Sequence, residues 1–319
     1  MQHYGSKMGR ILGIGLLLIL VFMGTSRADG QEVRAVKVQQ PPAIDGEVEA
    51  VWAQAPSLSI PVAGPSGSFT VTMKALYTES DLYLLFQWPD ATESLNRLYT
   101  YDGKAWKKVK GNEDRFNVMW GNNIANFKKM GCFALCHGNA MHTNAPEERG
   151  DLWHWKAQRT NPAGYADDQY IVHEPKEHEP GEVTGRLTDA KSGGGYQGNW
   201  DKAGKHPQYT FKSPPPDRRV LLKEQAVPLT DLSTVKAGDI LPREVLARAE
   251  GSRGDITAKG RWANGTWTLE LQRALVTGHE DDIQFADLHR DYYFSISVHD
   301  NSGEAHHSFA TRAYKLEFE

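Results

Sequence analysis

Residues 69–88 read FTVTMKALYTESDLYLLFQW, and this stretch decides the fold class. In its first half apolar and polar residues alternate, which is the period of a half-buried strand. The apolar positions are Phe69, Val71, Met73, Ala75 and Tyr77. A polar turn at residues 78–81 leads to residues 82–88, a run of strand formers that is apolar on both faces. The two runs predict a β-hairpin with one buried member.

The C-terminal third repeats the strand pattern. Asn264-Gly265 is a strong hairpin turn between two aromatic-rich runs. Alternation at residues 292–298 and 314–318 predicts two further strands. Strands at both ends of the chain predict an all-β fold, an antiparallel β-sandwich closed by its termini.

The middle of the chain lacks this periodicity. Residues 113–170 are rich in Trp, His and Asn, and residues 174–219 are rich in Pro, Gly and Lys. Both stretches are therefore expected to form long irregular loops over the sandwich, with 174–219 as a loop insertion. Neither an internal repeat nor a domain linker stands out, so residues 29–319 are predicted to form a single domain.

The first 28 residues have the pattern of an export signal. Lys7 and Arg10 precede an uncharged apolar run at residues 11–24, and Ser26-Arg27-Ala28 resembles a cleavage site. A permanent membrane anchor is the alternative, but the run is short for a span of about 20 residues. We therefore predict a cleavable signal peptide at residues 1–28 and a periplasmic protein without a membrane span after cleavage.

The charge argues against nucleic acid as a partner. Residues 1–28 carry three basic and no acidic side chains, so cleavage takes the net charge from −4 to −7. A mildly acidic protein has no electrostatic attraction to phosphate backbones or to an anionic membrane.

The two cysteines carry the strongest chemical signal. Residues 132–137 read Cys-Phe-Ala-Leu-Cys-His, one residue longer than the usual C-x-x-C-H signature of covalent haem attachment. Two thiols at this spacing can form thioether links to the two vinyl groups of one haem. His137 then becomes the proximal iron ligand. We predict one covalently attached haem c at Cys132, Cys136 and His137.

Two alternatives remain for the cysteines. A disulfide between Cys132 and Cys136 would close a very small loop and add little stability. A zinc site on Cys132, Cys136 and His137 would need a fourth ligand.

An electron-transfer haem usually has a second axial ligand. Met141 follows His137 too closely to reach the opposite face easily; His142 and His154 share part of that problem, although a loop could bring either one round. Met119 is a candidate. His306 and His307 lie far along the chain, after the strand at residues 292–298 and a polar turn, where a strand end could fold back over the haem.

The sequence resembles the haem-binding subunits related to the gamma subunit of ethylbenzene dehydrogenase, the cytochrome c-552 and dimethyl sulfoxide reductase-like haem-binding domain. The similar residues are 44–46, 51–52, 75–77 and 82–86, then 131–132, 136–137, Met141, 143–146, 150–156 and 164–170. The earlier stretches are also similar to family 9 carbohydrate-binding modules.

The resemblance implies a β-sandwich with long irregular loops and short helices that form a haem pocket. It also implies electron transfer to or from a molybdenum oxidoreductase of the dimethyl sulfoxide reductase superfamily. The partners would be its catalytic and iron-sulfur subunits or a soluble electron-transfer protein. Some relatives bind haem b non-covalently through a Met and a Lys ligand. In those relatives the second of these ligands along the chain lies near a turn close to the C-terminus. The matching stretch favours His306 as the distal ligand, with His307 next.

Three functions are compatible with these patterns, and we prefer electron transfer by a covalently attached haem. The chain is predicted to be an electron-transfer haem c protein rather than an enzyme. The alternatives are a haem-free carbohydrate-binding module and a haem protein with an open catalytic iron. The sequence shows no phosphate-binding loop, G-x-S-x-G or H-E-x-x-H motif.

Overall fold

The structure is a computed structural model that describes Met1 and residues 31–65, 67–121, 123–138, 140–179, 182–303 and 308–319. The predicted signal peptide lies outside the described residues apart from Met1, and so do His306 and His307. No helix in the described ranges is long and apolar enough to cross a membrane.

The described residues form a β-rich chain with short helical turns. The strands are β1 Glu32–Lys37, β2 Leu58–Gly64, β3 Gly67–Tyr77, β4 Asp81–Pro89, β5 Leu98–Tyr101, β6 Trp106–Lys108, β7 Arg115–Trp120, β8 Cys136–His137, β9 Ala140–Met141, β10 Gly150–Lys156, β11 Tyr165–Glu179, β12 Glu182–Thr188, β13 Gly193–Gly198, β14 Tyr209–Phe211, β15 Ala226–Pro228, β16 Ile240–Pro242, β17 Glu244–Glu250, β18 Ile256–Ala263, β19 Thr266–Ala274, β20 Tyr292–His299, β21 Ser308–Phe309 and β22 Tyr314–Phe318. The helical segments are α1 Phe127–Met130 and the 3-10 turns Ala50–Gln54, Gly131–Leu135, Asn161–Ala163, Lys223–Gln225, Leu232–Thr234 and Ser252–Gly254.

The predicted all-β sandwich is confirmed. Strands β3, β4, β19 and β18 form one layer, and β11, β10, β7 and β20 form the other. Pairing of β11 with β18 joins the layers at one edge, while β22 and β1 join β20 to β3 at the other. The chain ends therefore close the sandwich, as predicted. These pairings are antiparallel except that β1 runs parallel to both of its neighbours.

The opening hairpin forms as predicted, with Tyr77 opposite Leu82 in the β3–β4 register. Phe86 on β4 faces the space between the layers, where its ring lies 4.6 Å from that of Phe116 on β7. The other face of β4 is also covered, because Tyr83 and Leu85 pack against Trp52. Burial on both faces explains why the second run is apolar throughout.

The β18–β19 hairpin confirms the predicted turn. Ala263 pairs with Thr266, so Asn264 and Gly265 form a two-residue loop. Both have positive φ, 51° and 76°, which is the backbone conformation that the Asn-Gly pair favours in such hairpins.

The expectation of loops at residues 113–170 was wrong for the part that forms β7 and β10. These strands are central members of the second layer, and all of their residues are buried. Their polar side chains, such as Asn117 and His154, lie on one face and their aromatic side chains on the other, but both faces are buried, so no solvated face marks them as strands. Periodicity of hydrophobicity fails when a strand is enclosed on both faces.

The expectation of a loop insertion at residues 174–219 also needs correction. The end of β11 pairs with β12 as a hairpin, and β13 and β14 follow. Glu174, Pro175 and Lys176 are exposed on this hairpin. Backbone pairing rather than core burial supports it, so its sequence carries charges and a proline that hide the strand.

A buried ion cluster joins β19 to the second layer. Arg273 is fully buried, and its Nη1 lies 2.8 Å from Asp151 Oδ2, 3.6 Å from Asp168 Oδ2 and 3.8 Å from Asp282 Oδ2. Its guanidinium also stacks 4.6 Å over the Trp153 ring. The surplus of negative charge makes this arginine a main electrostatic constraint on the packing of the layers.

We predict that Arg273→Met destabilises the protein by about 3 to 5 kcal/mol, because it leaves buried carboxylates without their cation. Urea unfolding followed by circular dichroism measures the change. Arg34→Met is the matched control, since Arg34 pairs with Glu32 on an exposed surface and should contribute less than about 1 kcal/mol. Equal losses in the two variants would contradict this assignment.

A second prediction concerns pH. Burial, followed by repulsion from Asp281, Asp282 and Asp151, raises the pKa of Asp189 to about 7 from its ordinary 3.8. Between pH 3.8 and about pH 7, Asp189 keeps its proton in the folded protein, whereas it has released it in the unfolded protein. Stability from this group is therefore present below pH 4 and is lost as the pH rises towards 7.

Replacing Asp189 by Asn should remove this dependence. The unfolding free energy of the wild type minus that of the variant should fall by a few kcal/mol, at most about 4, between pH 4 and pH 7, and then level off. Urea titrations at pH steps across this interval measure it. A difference that stays constant with pH would show that Asp189 does not carry this proton.

Candidate functional site

A cavity lies on the outer face of the second layer, where three adjacent strands present their polar and sulfur-bearing side chains. Its floor consists of outward-facing residues of β7, β10 and β20. These are Arg115, Asn117, Met119, Leu152, His154, Ser295, Ser297 and His299. The cavity opens to the surface, and its space including the open mouth is about 620 Å³.

Strand alternation produces this floor. On β10, Trp153 and Trp155 belong to the sandwich core, whereas Leu152 and His154 point to the cavity. The same alternation on β20 sends Phe294 to the core and Ser295 to the cavity. The tryptophans that flank His154 are thus core residues rather than walls of the cavity.

A covering segment, residues 127–138 and 140–143, closes the cavity from above and contributes Cys132 and Met141. Phe127 and Leu135 are fully buried and anchor it through an apolar cluster that includes Met119 and Leu152 of the floor. Gly131 precedes Cys132 with φ of +58°, and a Cβ there would lie 2.7 Å from the Arg312 carbonyl. Glycine therefore allows the segment to approach the sheet closely.

Cys132 faces the cavity, and its thiol is buried. The Ser295 hydroxyl donates to Cys132 Sγ over 3.8 Å. Burial raises the pKa of Cys132 to about 11. Cys136 is half-buried, and its thiol donates to the Cys132 carbonyl over 3.7 Å, so both sulfurs belong to one turn of chain. No disulfide joins Cys132 to Cys136.

His137 lies on the exposed side of the covering segment. The β8–β9 hairpin pairs Cys136 with Met141 and His137 with Ala140. The His137 ring stacks on the His142 ring at 4.0 Å. Of the predicted haem residues, the structure thus places Cys132 in the cavity, Cys136 beside it and His137 on the neighbouring surface.

Among the three groups of described residues that could bind a metal through His, Cys or carboxylates, none contains Cys132, Cys136 or His137. These groups therefore do not support the alternative in which Cys132, Cys136 and His137 bind zinc.

His154 is the most distinctive residue of the floor. The side chain is buried, and Nδ1 lies 2.9 Å from Gln169 Oε1. Gln169 Nε2 donates to Thr188 Oγ1 at 2.9 Å, which leaves its oxygen facing the ring. His154 Nδ1 therefore carries the proton and donates it. Nε2 has no hydrogen-bond partner among the described residues.

Burial and nearby positive charges keep the His154 ring neutral. Burial first, and then the positive charges of Lys156, Arg115 and Arg186, hold the pKa of His154 well below its ordinary value. A neutral imidazole with one bare nitrogen is the form that binds transition metals.

Three further features of the floor bear on a bound group. Asn117 Nδ2 donates to Ser297 Oγ at 3.1 Å and lies 2.9 Å from His299 Nε2, so that ring nitrogen accepts a hydrogen bond. Arg115 Nε and Asn117 Oδ1 are buried without hydrogen-bond partners within the described part of the chain. Buried polar atoms of this kind usually indicate an unseen partner.

Sequence reasoning had ranked Met141 low and His154 as only a fallback, yet both line the cavity, as does Met119. The signal that could have found His154 is the pattern Trp-His-Trp, in which a strand sends both tryptophans to one face and the histidine to the other. The residues predicted as distal ligands, His306 and His307, lie outside the described residues.

We predict unequal reactivity of the two thiols in haem-free protein. Because the thiolate is the nucleophile and Cys132 is buried with a raised pKa, iodoacetamide should modify Cys136 at least about tenfold faster. Peptide mass spectrometry after timed quenching measures both rates. In denaturant the rates should converge. Faster labelling of Cys132 in the folded protein would contradict the described burial.

Comparison with known structures gives weak global similarities. A family 9 carbohydrate-binding module from Caldicellulosiruptor kristjanssonii in complex with cellotriose is 9% identical, with coverage of 90% of this chain and 93% of the module and a TM-score of 0.36. A putative carbohydrate-binding protein from Bacteroides uniformis is 8% identical, with coverage of 91% and 100% and a TM-score of 0.39.

No curated protein sequence matches the chain. The family model described as ethylbenzene dehydrogenase matches residues 31–311, which is most of the chain and includes the cavity floor and the covering segment. The chain therefore belongs to the ethylbenzene dehydrogenase family.

Proposed function

We propose that the chain is a periplasmic mono-haem c-type cytochrome that carries electrons to or from a molybdenum oxidoreductase. One observation carries the proposal. One of the two cysteines of a C-x-x-x-C-H motif lines a cavity whose floor holds a buried imidazole with an unpartnered nitrogen. A thiol and an unpartnered imidazole nitrogen that line one cavity together fit covalently attached haem.

The donor set of the cavity supports haem over an apolar ligand. Met119, Met141 and Leu152 supply apolar contact. Arg115 and Arg186 supply positive charge at the same cavity, which suits the two carboxylates of haem. Cys132 and Cys136 stand in one turn and are proposed to form the two thioether links.

The residues have distinct proposed roles. Haem, when bound, supplies an iron centre that accepts and releases one electron. His137 is the proposed proximal ligand, following Cys136 directly. For the distal position the sequence predicts His306, with His307 next, and this stays a prediction. The covering segment closes the cavity from above and would limit access of solvent and small ligands to the iron, which favours electron transfer over ligand chemistry at the metal.

Family membership supports the choice of partner. Ethylbenzene dehydrogenase names the family model that matches residues 31–311. We infer an association with the catalytic and iron-sulfur subunits of a molybdenum oxidoreductase of the dimethyl sulfoxide reductase superfamily, or with a soluble electron-transfer protein. In this role the chain moves electrons and transforms no substrate itself.

The test is a pyridine haemochrome spectrum of the exported protein after acid-acetone extraction. Haem should stay with the polypeptide and give a c-type spectrum. Cys132→Ala and Cys136→Ala should each shift the band towards that of a haem with one thioether, and the double variant should lose haem on extraction. The folded content of each variant is checked by circular dichroism.

Two results would contradict the proposal. Complete extraction of haem from the wild type would make it b-type. A properly matured protein that never contains haem would favour the carbohydrate-binding alternative instead.

A further inference from the structure

We propose that His154 supplies the axial nitrogen on the floor of the cavity, opposite the side on which His137 is attached, in place of His306. This inference rests on the proposed haem. It is carried by the position of one atom, His154 Nε2, and by the hydrogen bonds that fix the ring behind it.

The unpartnered nitrogen is costly unless something binds it. His154 is 4% exposed, and Nε2 is buried with no hydrogen-bond partner in the described structure. A buried acceptor without a hydrogen bond loses its solvation with nothing to replace it. The atom belongs to a side chain that lines the same cavity as Cys132. A metal bound there would use its lone pair.

The ring is oriented as ligating histidines usually are. Nδ1 donates to Gln169 Oε1 at 2.9 Å, and Gln169 is itself held by Thr188. Such an outer hydrogen bond fixes the tautomer and directs the other nitrogen at the metal. Because Gln169 and Thr188 lie on paired strands, β11 and β12, this support belongs to the sheet rather than to a flexible loop.

The position on the floor suits the topology of attachment. Cys132 and Cys136 belong to the covering segment, so the thioether links would approach from that side, and His137 follows Cys136 in the same segment, on its exposed side. An axial ligand on the other side must come from the sheet. His154 is on β10, which is hydrogen-bonded on both sides, to β7 and to β11, and is held in place by them.

The other described donors are less suited. His299 Nε2 already accepts from Asn117 Nδ2 at 2.9 Å. His142 and His173 have the same kind of outer hydrogen bond, from Nδ1 to the Thr143 carbonyl, but neither lines the cavity. Met119 and Met141 remain as thioether competitors, and a thioether gives a distinct spectrum.

The experiment compares spin states of the ferric holoprotein. His154→Ala should convert the haem from low spin to high spin in absorption and electron paramagnetic resonance spectra, while the haem stays attached in the pyridine haemochrome assay. Added imidazole should restore low spin. His306→Ala, His307→Ala and their combination should stay low spin, as should the surface control His289→Ala.

A second variant keeps the test valid if the alanine variant fails to mature. His154→Met should remain low spin, replace the imidazole signature in near-infrared magnetic circular dichroism by a thioether signature, and raise the reduction potential. The wild type itself should show two nitrogen ligands.

Several outcomes would overturn the inference. They are a low-spin His154→Ala variant, a high-spin His306→Ala or His307→Ala variant, or a thioether signature in the wild type. Loss of covalent haem from the wild type would instead remove the proposed function, so the two failures are distinguishable.

Discussion

The structure depends on the burial of β7, β10 and β20 on both faces. Along each strand one set of side chains forms the sandwich core and the alternate set forms the cavity floor. Trp120, Trp153 and Phe294 pack behind the sheet, with the Trp120 and Trp153 rings 5.3 Å apart. Because the core side chains fix the strand register, they also fix the position of His154. The packing of the sandwich core therefore also determines the geometry of the cavity floor.

Buried ion pairs also stabilise β7 and β10. Glu113 precedes β7 and is fully buried, and its Oε1 lies near three guanidinium groups, those of Arg97, Arg115 and Arg159. These charges hold the pKa of Glu113 below its ordinary value despite the opposing effect of burial. At the end of β10, Lys156 pairs with Asp167, which also accepts from Arg253 at 2.7 Å. Removing one member of a buried ion pair destabilises a protein more than the intact pair stabilises it. These pairs therefore favour a single arrangement of the strands.

The sequence predicted the outer strands better than the inner ones. Val71 and Met73 alternate with threonines, which predicts β3, and Asn264-Gly265 predicts the turn between β18 and β19. The strand that contains His154 is harder to predict because its polar side chains, His154 and Lys156, are buried instead of solvated, so neither face of the strand is a solvent face. The attachment residues were predicted from local spacing alone. The floor could not be, since Met119, His154 and Ser295 meet only through strand pairing far apart in sequence.

The most direct test of the account is peptide mass spectrometry of the exported, matured protein. We predict a single proteolytic peptide spanning residues 132–137 that carries the mass of one haem, with neither Cys132 nor Cys136 available to a thiol reagent. A peptide from matured protein with two free thiols, or with a disulfide between them, would contradict covalent haem attachment and with it the proposed function of the cavity.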